Sequence, residues 1–219
     1  MTRDVRAIVA LNALFFAATG IAVALDTPAK GWAVLALVVA YNICLPLLAR
    51  AVGRRDWVNL WAFLLPVSIF QILPDWVLAS VIGTLRFPVI GGPRVDHAIN
   101  LAMCGMWVAP LFIVLALARG RAGVAAAVAV AVFLGTELIA PVADLWKPVG
   151  ETTRIAGVAL YVLPAEAALG WATAHAYASA GTAGATRRIL AALAVSTFYL
   201  GALVLAYFVI DVAGWTITT

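Results

Sequence analysis

Charge is what this sequence has least of. Asp, Glu, Lys and Arg together make up only 11% of the 219 residues, where an ordinary soluble domain carries about 25%. Apolar residues reach 65%, and a water-soluble globule of this size could not hide that much apolar surface. Lysine occurs only as Lys30 and Lys147, both at the ends of apolar runs, which excludes a retinal Schiff base on the last run. The two histidines, His97 and His175, lie far apart, so no clustered ligand set points to haem or a di-iron centre. Cys44 and Cys104 are the only cysteines; each falls inside an apolar run and reads as a buried small hydrophobe outside any disulfide. No phosphate-binding loop or dinucleotide glycine fingerprint occurs, and no nucleophile elbow. Aspartate-rich DDxxD and DxDD stretches are missing too. No basic stripe with interleaved aromatics is present, so nucleic acid is not an expected partner. No metal or other cofactor is implied.

What is there is a series of long apolar runs. Seven of them, at residues 8–25, 32–51, 57–73, 98–118, 122–140, 155–177 and 189–210, approach the roughly 20 residues that a spanning helix needs. The chain is therefore expected to be all-α, one integral membrane domain over residues 1–219, built as a seven-transmembrane-helix bundle. The first run is too long for the core of a cleavable signal and reads as a spanning helix that also targets the chain. The fifth is rich in Ala and Val, which suits close helix–helix packing. Residues 74–93 are apolar at first and then broken by Gly83, Pro88, Gly91, Gly92 and Pro93. Residues 76–85 are expected to form a short interfacial or re-entrant helix, with Asp75 as a possible cap.

Arginine and lysine set the orientation. One end of the bundle receives Arg3, Arg6, Arg50, Arg54, Arg55, Arg119, Arg121, Arg187 and Arg188; the other receives Lys30, Arg86, Arg94, Lys147 and Arg154. The richer end belongs in the cytoplasm, which puts the N-terminus inside and the C-terminus outside.

Most acids then gather towards the outer side. Asp26, Asp144, Glu151 and Asp211 read as solvated ends, and Asp96 as an N-cap for the fourth run. Glu166 is different. It lies well inside the sixth run, near mid-bilayer, where a carboxyl must be neutral, paired or facing a cavity. Glu137 and Asp75 are the other two intramembrane acids. Trp61, Phe70, Trp76, Trp107 and Tyr161, with Asn100, are the candidate cavity-lining residues. Ring faces stabilise a cation by about 0.5–2 kcal/mol, so a buried acid among aromatics suits the formation and guidance of a carbocation. Trp32, Trp57, Trp146 and Trp215 read as interfacial belt residues.

Three runs carry a resemblance: residues 71–76 (Gln-Ile-Leu-Pro-Asp-Trp), 105–112 (Gly-Met-Trp-Val-Ala-Pro-Leu-Phe) and 161–170 (Tyr-Val-Leu-Pro-Ala-Glu-Ala-Ala-Leu-Gly). They resemble small bacterial seven-helix membrane proteins similar in size and helix count to the integral-membrane terpene cyclases. That group includes fungal meroterpenoid cyclases, bacterial indole-sesquiterpene cyclases and small lycopene cyclases. The resemblance implies a bacterial cytoplasmic-membrane enzyme of isomerase type. A membrane-embedded carboxylic acid would protonate a linear or epoxidised isoprenoid drawn from the bilayer, without metal or other cofactor. Pro164-Ala165-Glu166 is similar to the Pro-x-Glu-Glu element of lycopene cyclases, with Ala167 in place of the second Glu. That departure argues against lycopene as substrate. Glu166 or Asp75 is expected to be the initiating acid and Glu137 its partner. Two other readings stay open: a small proton-coupled transporter, and a non-catalytic membrane subunit in which Glu166 bonds across helices. The oligomeric state is not legible.

Overall fold

A computed structural model describes residues 2–214. The chain is all-α in its main elements, with seven helices: α1 (Arg3–Val23), α2 (Ala29–Ala51), α3 (Arg55–Ile82), α4 (Met103–Ala118), α5 (Ala122–Ile139), α6 (Val162–Ala180) and α7 (Ala185–Val212). Helices α1, α2, α3, α5 and α7 are long and apolar enough to cross a membrane; α4 is shorter, and α6 falls outside this group. Trp215 lies outside the described residues.

Helices α3, α4, α5, α6 and α7 pack in sequence and close on themselves, α7 returning against α3, while α2 leans on the outside against α3 and α4 and α1 packs on α2. Small residues let the ring close tightly. A Cβ on Gly170 of α6 would lie 2.5 Å from both the Ala125 carbonyl oxygen and the Ala129 Cβ of α5. The Ala-rich α5 thus serves close helix packing as its composition predicts. Cys44 and Cys104 are free thiols, but Cys44 is exposed and Cys104 only half-buried, so neither is the fully buried small hydrophobe expected from the sequence.

Three boundaries differ from those read in the sequence. Residues 76–85 do not form a separate helix: α3 runs through Pro74 to Ile82, with a local break at Gln71 and a wider π-type turn from Val77. Pro74 has no N–H to give to Phe70 O, which would normally end or kink a helix. Here the Ser196 hydroxyl of α7 donates to Phe70 O at 2.7 Å. Ser196→Ala should therefore destabilise the fold by about 0.6–1.7 kcal/mol. Adding Pro74→Ala, which restores the main-chain donor, should recover part of the loss. Thermal unfolding of the two single variants and the double variant in detergent reads this, and equal losses with and without Pro74 would refute it.

The other two shifts come from hairpins. Helix α4 starts at Met103 because β2 (Arg94–Val95) pairs with β3 (Ile99–Asn100) across a turn in which Asp96 and His97 both have positive φ. Asp96 is therefore no N-cap. Its carboxylate instead accepts the Trp76 indole N–H at 2.7 Å. Helix α6 starts at Val162 because β5 (Arg154–Ile155) pairs with β6 (Val158–Ala159) across Ala156-Gly157, again with both φ positive. Two consecutive positive φ values give the turn twist that hairpins favour. A third pairing, of β1 (Leu85–Arg86) with β4 (Lys147–Pro148), joins the two long connections into one cap over this end of the ring.

Arg94 organises the first half of the cap. Its guanidinium donates to the carbonyls of Phe87, Pro88, His97 and Ala98 and to Asn100 Oδ1. Burial lowers its pKa from the ordinary arginine value. The cap is seated on α2 by Gly31, whose N–H donates to Ile90 O at 2.8 Å. A Cβ there would stand 1.9 Å from Gly91 O. At the opposite end, Arg54 binds the carboxylates of Asp4 and Asp56 and stacks over Trp57.

Candidate active site

Each helix of the ring sends one polar or aromatic side chain to the same buried region beneath the cap. Asp75 comes from α3, Trp107 from α4, Glu137 from α5, Glu166 from α6 and Tyr199 from α7. Asp75, Trp107, Glu137 and Tyr199 line one cavity together with Tyr161 and Trp146 from the cap side. Its volume is ≈ 20 Å³, enough for about one water molecule. Glu166 is buried beside this cavity and does not line it, and the charge of Glu137 reaches both Glu166 and Asp75. Among the described residues no three of His, Cys, Asp and Glu stand close enough to hold a metal ion.

The hydrogen bonding is uneven. Glu137 Oε1 accepts the Trp146 indole N–H at 2.9 Å. The Tyr161 hydroxyl donates to Thr84 Oγ1 at 3.0 Å. Ser68 Oγ accepts the Trp107 backbone N–H at 3.1 Å, which fixes the start of α4 against α3. By contrast, Asp75 Oδ2, Glu166 Oε2, Trp107 Nε1 and both amide atoms of Gln71 are buried with no hydrogen-bond partner among the described residues. The Trp107 indole N–H stands beside the Asp75 carboxyl without the alignment for a bond. An unpaired buried polar atom costs about 1–3 kcal/mol, and native proteins leave few of them. Four such side chains in one region mark a site that is prepared for something other than holding the bundle together.

The structure separates the residues picked out from the sequence. Asp75, Glu137, Trp107 and Tyr161 share the cavity. Trp61 instead donates to Asn42 Oδ1 on α2 at 3.3 Å, Trp76 is tied to Asp96 in the cap, and Asn100 is taken up by Arg94. Phe70 contributes its carbonyl to Ser196 and does not line the cavity. Asp75 sits in the body of α3 and caps no helix. Glu166 is four residues past Val162, the first residue of α6, or roughly 6 Å along the helix at 1.5 Å per residue; the sequence placed it at mid-helix. Trp146, read as an interfacial belt residue, is a buried wall of the cavity. Gln71 and Tyr199 were not singled out. Gln71 lies one turn before Asp75 in α3, so the i, i+4 rule brings the two to one helix face.

Residues 72–210 match a family described as "Domain of unknown function (DUF6989)". The chain belongs to this family. No curated protein and no solved structure matches it. The segment matched to DUF6989 holds Asp75, Trp107, Glu137, Glu166 and Tyr199, and it spans α4 to α6 with most of α7 and the last turns of α3. Helices α1 and α2 lie before it. The DUF6989 segment therefore coincides with the part of the chain that builds the acid-containing cavity and its cap.

Proposed function

We propose that this chain is an integral membrane enzyme that cyclises a membrane-dissolved isoprenoid by protonation, without a metal. All seven helices lie in the bilayer, with the arginine-rich end in the cytoplasm. The cap of residues 83–102 and 140–161 covers the outer end. The reading rests above all on one observation. Three carboxyl side chains, from three different helices, meet buried aromatic rings in a region where Asp75, Glu166, Trp107 and Gln71 leave buried polar atoms without a partner among the described residues. An intramembrane acid is by default a functional group.

In this reading Asp75 is the acid, because it lines the cavity and its Oδ2 is free. Its O–H bond breaks as a new bond forms from that proton to a terminal alkene carbon or an epoxide oxygen. The electron pair of a neighbouring double bond closes the ring onto the resulting cation. Trp107, Tyr161 and Tyr199 present rings to the positive charge. The last cation loses a proton to a carboxylate, Glu137 or the Asp75 anion, so the product is an isomer of the substrate. Glu166 and Gln71 position the acid from behind. The closed cavity admits about one water molecule, so its walls must part to admit substrate.

The test is turnover by purified protein in detergent, with no membrane gradient. Linear polyprenyl alcohols and their epoxides would be incubated in light and heavy water, and the extracts compared by mass spectrometry. An isomer of unchanged mass in light water is the expected product; made from an alkene in heavy water it carries one non-exchangeable deuterium on carbon, and made from an epoxide it carries only an exchangeable one on its new hydroxyl and is recognised by its retention time and fragmentation. Folded protein that leaves the whole panel unchanged would sink the cyclase reading. Movement of protons only across a membrane with a gradient would favour a carrier.

A further inference from the structure

A second, larger space lies on the far side of Trp107. It is a cleft of ≈ 310 Å³ between α1 and α2 on one wall and α4 and α5 on the other. Its volume is at the lower end of the range for small-molecule sites. Met103, Trp107 and Trp146 line both this cleft and the acid-containing cavity. The two spaces are thus separated by a partition one side chain thick.

The chemistry of the cleft is one-sided. Thr19 and Thr136 spend their hydroxyls on Phe15 O and Phe133 O of their own helices. Trp146 gives its N–H to Glu137, and Trp107 holds its N–H beside Asp75. Both indoles therefore turn their polar edge to the acids and offer the cleft only ring carbon. Nothing on the lining asks for a hydrogen bond, so the occupant has no polar atom in this part of the molecule.

We propose that this cleft seats the hydrocarbon tail of the substrate, whose reacting end passes the partition of Met103, Trp107 and Trp146 to reach Asp75. The proposal rests on the reading of the acid site given above, and adds where the rest of the substrate lies and which wall opens. Helices α1 and α2 then gain a role: with α4 and α5 they make a side entrance, although they stand outside the ring that carries the acids.

Gly135 on α5 allows a direct test. It lines the cleft, and a Cβ there meets nothing within 4 Å. Gly135→Phe fills the space without a backbone clash, and it removes a helix-interior glycine. Gly201→Phe on α7, also free of neighbours within 4 Å, is the control. The probe is a terminally brominated linear alkane, titrated into detergent-solubilised protein while tryptophan fluorescence is read. Saturable quenching is expected in the wild type, reduced in Trp107→Phe and Trp146→Phe. Gly135→Phe should weaken the apparent affinity at least about tenfold, a loss of roughly 1.4 kcal/mol, and Gly201→Phe should leave it unchanged. A linear polyprenyl alcohol should displace the probe, and phosphatidylcholine should not. Unsaturable quenching in the wild type, full quenching in a folded Gly135→Phe variant, or equal displacement by phosphatidylcholine overturns the proposal. The readout needs no turnover. Binding without any cyclised product would sink the cyclase reading and leave the cleft; product without this binding would sink the cleft alone.

Discussion

Asp75→Asn is expected to lower the rate of product formation by about 10²–10⁴-fold, the usual contribution of a general acid, while the protein remains folded. The change is nearly isosteric, and the amide keeps a donor and an acceptor. Asp75 N–H donates to Gln71 O within α3, and that bond survives the substitution. What is lost is the transferable proton. Glu137→Gln should cost less, because its Oε1 is already engaged by Trp146 and the Asp75 anion can take the last proton back. Glu166→Gln separates two roles. As a positioning residue outside the cavity lining, it should shift the pH profile of the rate while leaving product identity intact. If Glu166→Gln abolishes the product and Asp75→Asn retains it, the acid is Glu166, and the cavity must open further towards α6.

The candidate site was partly legible in the sequence because lipid makes charge conspicuous. An acid inside an apolar run stands out without any knowledge of the fold, and Asp75, Glu137 and Glu166 were found that way. Their mutual approach was not legible, since it depends on five helices closing into a ring. Aromatic residues carry no such label. Trp61 and Asp75 share α3, but fourteen residues separate them, which is roughly 21 Å along a helix, so Trp61 could not reach the same cavity. Trp146 was hidden for the opposite reason: its place at the end of an apolar run looks interfacial, and only the cap turns it inwards.

The errors in helix boundaries have equally local causes. Residues 155–163 are nearly all apolar and continue smoothly into α6. The turn that breaks them uses Ala156 at a φ of 51°, a conformation that an alanine rarely adopts, so no turn residue announced it before Gly157. The placing of Glu166 at mid-helix followed from that error alone. At Pro74 the sequence pointed to a stop that the fold overrides. The compensating donor, Ser196, lies 126 residues beyond Phe70, whose carbonyl it serves. A rule that reads neighbours cannot see it.

The other large effect should come from Gly170, where even one methyl group has no room. On Gly170→Ala the new Cβ would press into the Ala125 carbonyl oxygen and the Ala129 Cβ, each 2.5 Å away. Neither atom belongs to a flexible side-chain end. One is backbone and the other is the first atom of its side chain, so the helices themselves must move apart. Overpacking of this kind costs about 1–3 kcal/mol, against which the helix propensity of alanine returns up to about 1 kcal/mol. Gly123→Ala isolates that second contribution, because Gly123 lies on α5 with nothing within 4 Å of its added Cβ. Thermal unfolding in detergent should therefore show Gly123→Ala at or above the wild type and Gly170→Ala clearly below it. Since α5 and α6 carry Glu137 and Glu166, the same separation should disturb the acid site, and Gly170→Ala should lose product at temperatures where it is still folded. Equal stability of the two variants would mean that α5 and α6 do not pack at this distance, and the shared cavity of Asp75 and Glu137 would lose its frame.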